Sequence, residues 1–163
     1  MNPGQRYAAV ALVIDFEMRI LMIQRPKKPR DPWSGHMAFP GGKVEEQDAD
    51  LKATAERECE EEVGISLPAQ GEFLGALSVL QHPKLSIGAF VYYLPEQPDL
   101  NCNEEVEEYF WISLQELAST QRTFISHSFN QTKRRFPAIP LLDVPIWGIS
   151  LNFLDQLLTR MES

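Results

Sequence analysis

Apolar positions fall into two patterns along the chain, and each predicts an element. Residues 7–14 (YAAVALVI) and 19–24 (RILMIQ) are short β-prone apolar runs separated by Asp15, Phe16, Glu17 and Met18, which predicts a β-hairpin. Residues 25–35 (RPKKPRDPWSG) have no periodicity, and their prolines predict a loop. A short strand is expected in HMAFPGGKV, broken at Pro40-Gly41-Gly42. Residues 72–80 and 86–94 predict two further strands, followed by a polar loop through Asn103. EEYFWISLQELAS reads as a strand entering a short helix, with Ser113 as N-cap. WGISLNFLDQLLTRM reads as an amphipathic terminal helix. Strands and helices mixed in this way predict an α+β fold in one layered unit.

Residues 51–63 form the helical pattern with the most unusual chemistry. At about 100° per residue, Leu51, Ala55, Cys59 and Val63 share one apolar stripe. Asp48 or Asp50 can cap its start, and Gly64 can end it in a left-handed conformation. Glu56 and Glu60 are expected on the solvent side. Glu62 projects along the stripe itself, Glu58 borders it, and Glu61 lies further round. Glu58 and Glu62, as like charges four apart, destabilise a helix by about 0.2–0.5 kcal/mol. The negative end of the helix dipole adds a similar penalty, and a carboxylate against a core costs more unless it is partnered. Arg57 alone cannot neutralise three carboxylates. A divalent cation with oxygen ligands can. Upstream, Gly41 and Gly42 allow close backbone approach and unusual φ, so that a carbonyl or amide can reach a ligand.

Composition narrows the possibilities further. The chain has 163 residues, 44% of them apolar, which suits one domain with one core. Its net charge of −8 argues against a protein that coats nucleic acid, but not against an anionic small molecule bridged by a cation. Only Cys59 and Cys102 are present, so a disulfide scaffold is not expected and a cytoplasmic location is. The early apolar run is too short to span a membrane. Arg25, Lys27, Lys28 and Arg30 are the densest basic cluster, suited either to anion recognition or to a solvated loop. Trp33 can stack on an adenine or cover the core. His36, His82 and His127 lack metal-ligand spacing, Cys59 is expected in the core, and Trp147-Gly148 is expected to pack the last helix.

These features converge on one family. GGKVEEQDADLKATAERECEEEVGI resembles the Nudix box, G-x5-E-x7-R-E-U-x-E-E-x-G-U, where U is a bulky aliphatic. The core from Arg57 to Ile65 matches, with Cys59 in place of the bulky aliphatic. At the front, five residues lead from Gly42 to Asp48 rather than to Glu, and eight rather than seven separate Asp48 from Arg57. That one-residue insertion is similar to the coenzyme A pyrophosphatase branch. So is LMIQRPKKPRDPWSGHMAFPGG, where Leu21, Arg25, Arg30, Gly35 and residues 39–42 line up with that branch's recognition segment. Ile23, Pro26 and one extra residue before Gly35 depart from it. PIWGISLNFLDQLL is similar to its C-terminal helix start.

The resemblance implies an α-β-α sandwich, a Nudix-like mixed β-sheet flanked by helices, in a single hydrolase domain over residues 1–163. It implies Mg²⁺ or Mn²⁺ held by the Gly42 carbonyl, Glu58, Glu61 and Glu62, with Glu61 a ligand or a base. Arg57 would orient the glutamates, and Asp48 would fill the front acidic position. Glu105, or its neighbour Glu104, is the candidate base on a later loop. Arg25, Arg30, Gly41 and Gly42 would contact the substrate. The implied substrate is coenzyme A or an acyl-CoA, cleaved to 3′,5′-ADP and 4′-phosphopantetheine. ADP-ribose, dinucleotides, damaged nucleotides and a non-catalytic ligand-sensing role are the alternatives. Neither nucleic acid nor membrane is an expected partner, and a homodimer is compatible with the sequence.

Overall fold

The computed structural model describes residues 4–31 and 34–162. The elements in chain order are β1 (Arg6–Asp15), β2 (Arg19–Gln24), β3 (Met37–Ala38), β4 (Gly41–Lys43), α1 (Leu51–Val63), α2 (Leu67–Gln70), β5 (Glu72–Ala76), β6 (Leu80–His82), β7 (Leu85–Leu94), β8 (Glu108–Ser113), α3 (Leu114–Ser119), β9 (Thr123–Phe129), β10 (Thr132–Ile139), β11 (Ile146–Trp147) and α4 (Gly148–Met161). Eight strands form a mixed sheet. Its axis is β1, which runs parallel to β7 from Arg6↔Leu85 to Asp15↔Leu94 and antiparallel to β2 and β4.

Helices cover both faces of this sheet, so β1 is apolar on both sides rather than alternating. Ala9, Ala11 and Val13 pack with Ala55, Cys59 and Val63 of α1. Leu12 and Ile14 face the other way, onto Leu117 of α3 and Phe153, Leu154 and Leu157 of α4. Strand β2 divides in the same manner, with Leu21 and Ile23 on the α1 side and Ile20 and Met22 on the α4 side. This is the expected α-β-α sandwich. No helix among the described residues is long and apolar enough to cross a membrane.

The structure departs from the sequence pattern in three places. Residues 72–80 are not one strand: β5 ends at Ala76 and β6 begins at Leu80, with a register irregularity between Phe73 and Gly75. Glu56 is not turned to solvent. The Tyr92 hydroxyl donates to its Oε2 at 2.5 Å and Lys52 Nζ lies 3.3 Å away, because β7 passes beneath that side of α1. Finally, β9, β10 and β11 form a second, three-stranded sheet that the pattern did not reveal. Its β9–β10 turn has positive φ at Asn130 (48°) and Gln131 (67°), the backbone of a two-residue type I′ turn.

Candidate active site

The site is built at the C-terminal end of α1. Asp50, not Asp48, caps the start of that helix: its Oδ1 accepts from the Ala53 amide at 2.8 Å. Gly64 closes it at φ 80°, donating its amide to the Glu60 carbonyl at 3.0 Å. The last turn would leave carbonyls without partners. The loop before β8 supplies them, with the Asn101 amide donating to Val63 O at 2.9 Å and the Asn103 amide to Glu62 O at 3.0 Å. Asn103 Oδ1 then accepts from the Glu105 amide at 2.9 Å, which fixes that residue beside the helix end. In consequence Glu58, Glu62 and Glu105 each place a carboxylate oxygen within 4.8 Å of the other two.

The glycine pair lies against this trio. Gly41 and Gly42 are in β4, paired with Val10 and Ala9 of β1. The Gly41 amide donates to Glu62 Oε1 at 2.7 Å. The expectation of unusual φ is not met, since neither is among the positive-φ glycines. What they supply is space. A Cβ on Gly41 would lie 2.3 Å from the Ala9 carbonyl oxygen, and one on Gly42 would lie 2.6 Å from the Glu58 carboxyl carbon.

Arg57 braces the arrangement. Its Nε and Nη2 donate to Asp48 Oδ1 and Oδ2 at 2.9 and 3.0 Å, a bidentate pairing. Nη2 also donates to Lys43 O at 3.0 Å, and Nη1 donates to Glu58 Oε1 at 3.0 Å and to both Glu61 oxygens at 3.2 Å. This pairing holds the Asp48 carboxyl well below the usual range, and Asp48 in turn raises the guanidinium's pKa. Burial raises Glu58, with Arg57 opposing. Glu62 is buried (3% exposed), and burial pushes its carboxyl up to about 8. The Gly41 amide opposes that shift, and Glu58 and Glu105 add to it. Glu61 stays outside the trio, its side chain 52% exposed and tied to Arg57.

Beside the glycines is a cavity of about 240 Å³ whose walls include Arg25, His36, Phe39, Gly41, Gly42 and Trp147. Arg25 pairs with Asp31 at 3.0 Å, while its buried Nε has no hydrogen-bond partner among the described residues. Arg30 occupies an exposed turn at φ 72° and does not line this cavity. Trp33 lies outside the described residues. The ring of Trp147 packs against His36 and His127, with centroids 5.3 and 5.0 Å away, so it does more than pack the last helix. The sequence reading did not bring these rings together. The alternation of Ile125, His127 and Phe129 ahead of Asn130-Gln131 was the available signal.

The NUDIX domain family model matches residues 4–132, and the chain belongs to that family. It is 31% identical over 122 residues to the human mitochondrial coenzyme A diphosphatase NUDT8, covering 71% of this chain and 51% of that protein. It is 41% identical over 107 residues to the Schizosaccharomyces pombe protein C14C4.10c, covering 60% of this chain and 32% of that one. The chain therefore spans about half of one of these relatives and about a third of the other. Among solved structures, the MutT protein of Methanosarcina mazei Go1 superposes with a TM-score of 0.56 at 25% identity, over 74% of this chain and 86% of that one.

Proposed function

We propose that the protein is a Mg²⁺- or Mn²⁺-dependent diphosphatase that hydrolyses coenzyme A or an acyl derivative, releasing 3′,5′-ADP and a 4′-phosphopantetheine. The observation that carries the diphosphatase reading is the convergence of Glu58, Glu62 and Glu105 next to Gly42. This donor set fits a hard divalent cation. It consists of carboxylate oxygens, it is short of positive charge, and Gly42 lacks the Cβ that would crowd Glu58. Glu58, Glu62 and the Gly42 carbonyl would hold the ion, with Glu61 at its margin. When bound, such an ion offsets diphosphate charge and lowers the pKa of coordinated water.

The chain's own groups would do the rest. Glu105, the exposed member of the trio, accepts the proton of the attacking water. Glu61 is the second candidate for that proton. Arg57 does not touch substrate; it fixes the directions of Glu58 and Glu61. Gly41 and Gly42 let the diphosphate lie against backbone. Arg25 meets it from the cavity wall, and Arg30 adds positive charge from the exposed turn. The coenzyme A assignment is supported by the likeness to the human coenzyme A diphosphatase and by the residues aligned around Arg25.

The test is product analysis with Mg²⁺ and coenzyme A, ADP-ribose and a dinucleotide, using wild type and Glu105→Gln. Release of 3′,5′-ADP from coenzyme A at the highest kcat/KM of the three, with kcat reduced about 10²-fold or more in the variant, is expected. Turnover of ADP-ribose or the dinucleotide alone moves the assignment to another diphosphate. Binding without turnover of any of them identifies a ligand-sensing module.

A further inference from the structure

A second cavity, of about 730 Å³, opens beside the first and shares Leu85, Trp147, Gly148 and Ile149 with it. Its far wall is the β9–β10 ribbon. In that ribbon Arg134 pairs with His127 and Phe136 pairs with Ile125. Period-two alternation puts Thr132, Arg134 and Phe136 on one face, and all three line the cavity. Phe136 and His127 approach the Trp147 ring at centroid distances of 5.1 and 5.0 Å, so the ribbon and the start of α4 make one aromatic wall.

The charge of this cavity is unlike that of the chain. Asp and Glu together number 23, yet none lines it among the described residues. Arg134 does, and it forms no ion pair among the described residues; Arg6, Arg30, Arg135 and Arg160 form none either, but of these five only Arg134 lines the cavity. An alkyl chain laid here would desolvate that guanidinium without a partner. A planar ring carrying an anionic substituent satisfies both features, stacking on the aromatic wall and pairing with the fork.

We propose that this cavity is the nucleoside subsite, in which the base lies on the Trp147–Phe136 wall and Arg134 receives a phosphate on the ribose. The shared wall of Trp147, Gly148 and Ile149 gives such a ligand a path to the glycines, where its 5′-diphosphate meets the carboxylates. Arg134 is thus the residue that separates a nucleoside bisphosphate moiety from a plain nucleoside monophosphate moiety. The proposal rests on the coenzyme A reading for the source of that phosphate.

Calorimetric binding of 3′,5′-ADP and 5′-AMP tests it, since the two differ by the one phosphate. Wild type should prefer 3′,5′-ADP by about tenfold or more, the effect of one charge-assisted contact. Arg134→Gln should bring the ratio close to one, and Lys133→Gln, on the opposite face of β10 and outside the cavity lining, should leave it as in wild type. A wild-type ratio near one, a ratio retained in Arg134→Gln, or a ratio lost equally in Lys133→Gln overturns the assignment. Coenzyme A hydrolysis measured alongside reports on the functional reading separately: its absence refutes that reading, while the binding ratio still decides the subsite.

Discussion

Replacing Glu62 by Gln separates the cost of the site from its use. Glu62 is 3% exposed, and burial, reinforced by Glu58 and Glu105, raises its carboxyl from 4.5 to about 8. In the unfolded chain the group returns to its ordinary value. Between the two values the folded state binds the proton more tightly than the unfolded one. Stability of the metal-free protein therefore falls as pH rises from about 4.5 to about 8. At pH 7 the metal-free fold must take up a proton at Glu62 that the unfolded chain does not hold, which costs up to about 3 kcal/mol, at about 1.4 kcal/mol per pH unit above 4.5. Gln keeps an oxygen to accept the Gly41 amide, a bond of 2.7 Å in wild type, and removes the charge.

The expected result is a variant that is more stable and far less active. In EDTA at pH 7, Glu62→Gln should melt above wild type by up to roughly 6–12 °C, the equivalent of about 3 kcal/mol in a chain of this size. At pH 4 the two should converge, because wild-type Glu62 is then protonated in both the folded and unfolded states. Added Mg²⁺ should raise the wild-type melting temperature and move the variant much less. A variant that melts at or below wild type at pH 7 in EDTA refutes the stability argument, as does a gap that persists at pH 4. Near-wild-type turnover of the variant at saturating Mg²⁺ refutes the role of Glu62 at the ion.

Two more substitutions test the neighbours of this residue. Arg57→Lys should lower kcat by more than it raises KM, because a single ammonium cannot span both Asp48 oxygens, Lys43 O and Glu58; steady-state kinetics showing a change in KM alone would mean that Arg57 contacts substrate. Gly42→Ala places a methyl 2.6 Å from the Glu58 carboxyl carbon and should weaken Mn²⁺ binding by roughly tenfold or more in a metal titration, with unchanged affinity as the contrary result.

What could be read from the sequence was what depends on local period and local chemistry. The α1 stripe, its Gly64 stop and the inward direction of Glu62 follow from 3.6-residue spacing, and the structure reproduces them. Strand β2 has the bounds that its apolar run suggested. Contacts between distant elements could not be read. Glu56 looked solvent-facing because a helical wheel contains no β7, and it is Tyr92 of β7 that captures it. Asp48 and Asp50 were equivalent as caps until Arg57, nine residues from Asp48, claimed one of them. Arg25 and Arg30 were one basic cluster in sequence, but the turn between them leaves Arg25 on the cavity wall and Arg30 outside it. Glu105 joined Glu58 and Glu62 only through the docking of its loop on the carbonyls of α1.

The lengthened front of the box is held by one set of contacts, and the register of Glu58 and Glu62 by another. The loop between β4 and α1 closes on itself: the Glu45 amide donates to Asp48 Oδ2 at 2.9 Å, the Asp48 amide donates to Glu45 O at 3.0 Å, and the Thr54 hydroxyl donates to Asp48 Oδ2 at 2.8 Å. Both flanks of the loop are then held by one side chain, since Arg57 grips Lys43 O at the strand end and Asp48 before the cap. The positions of Glu58 and Glu62 depend on the register of α1 against β4, set by the Gly41–Glu62 bond and the close Gly42–Glu58 approach. Neither contact includes the loop, which bears on Glu58 only through the Arg57 guanidinium that joins it to Asp48.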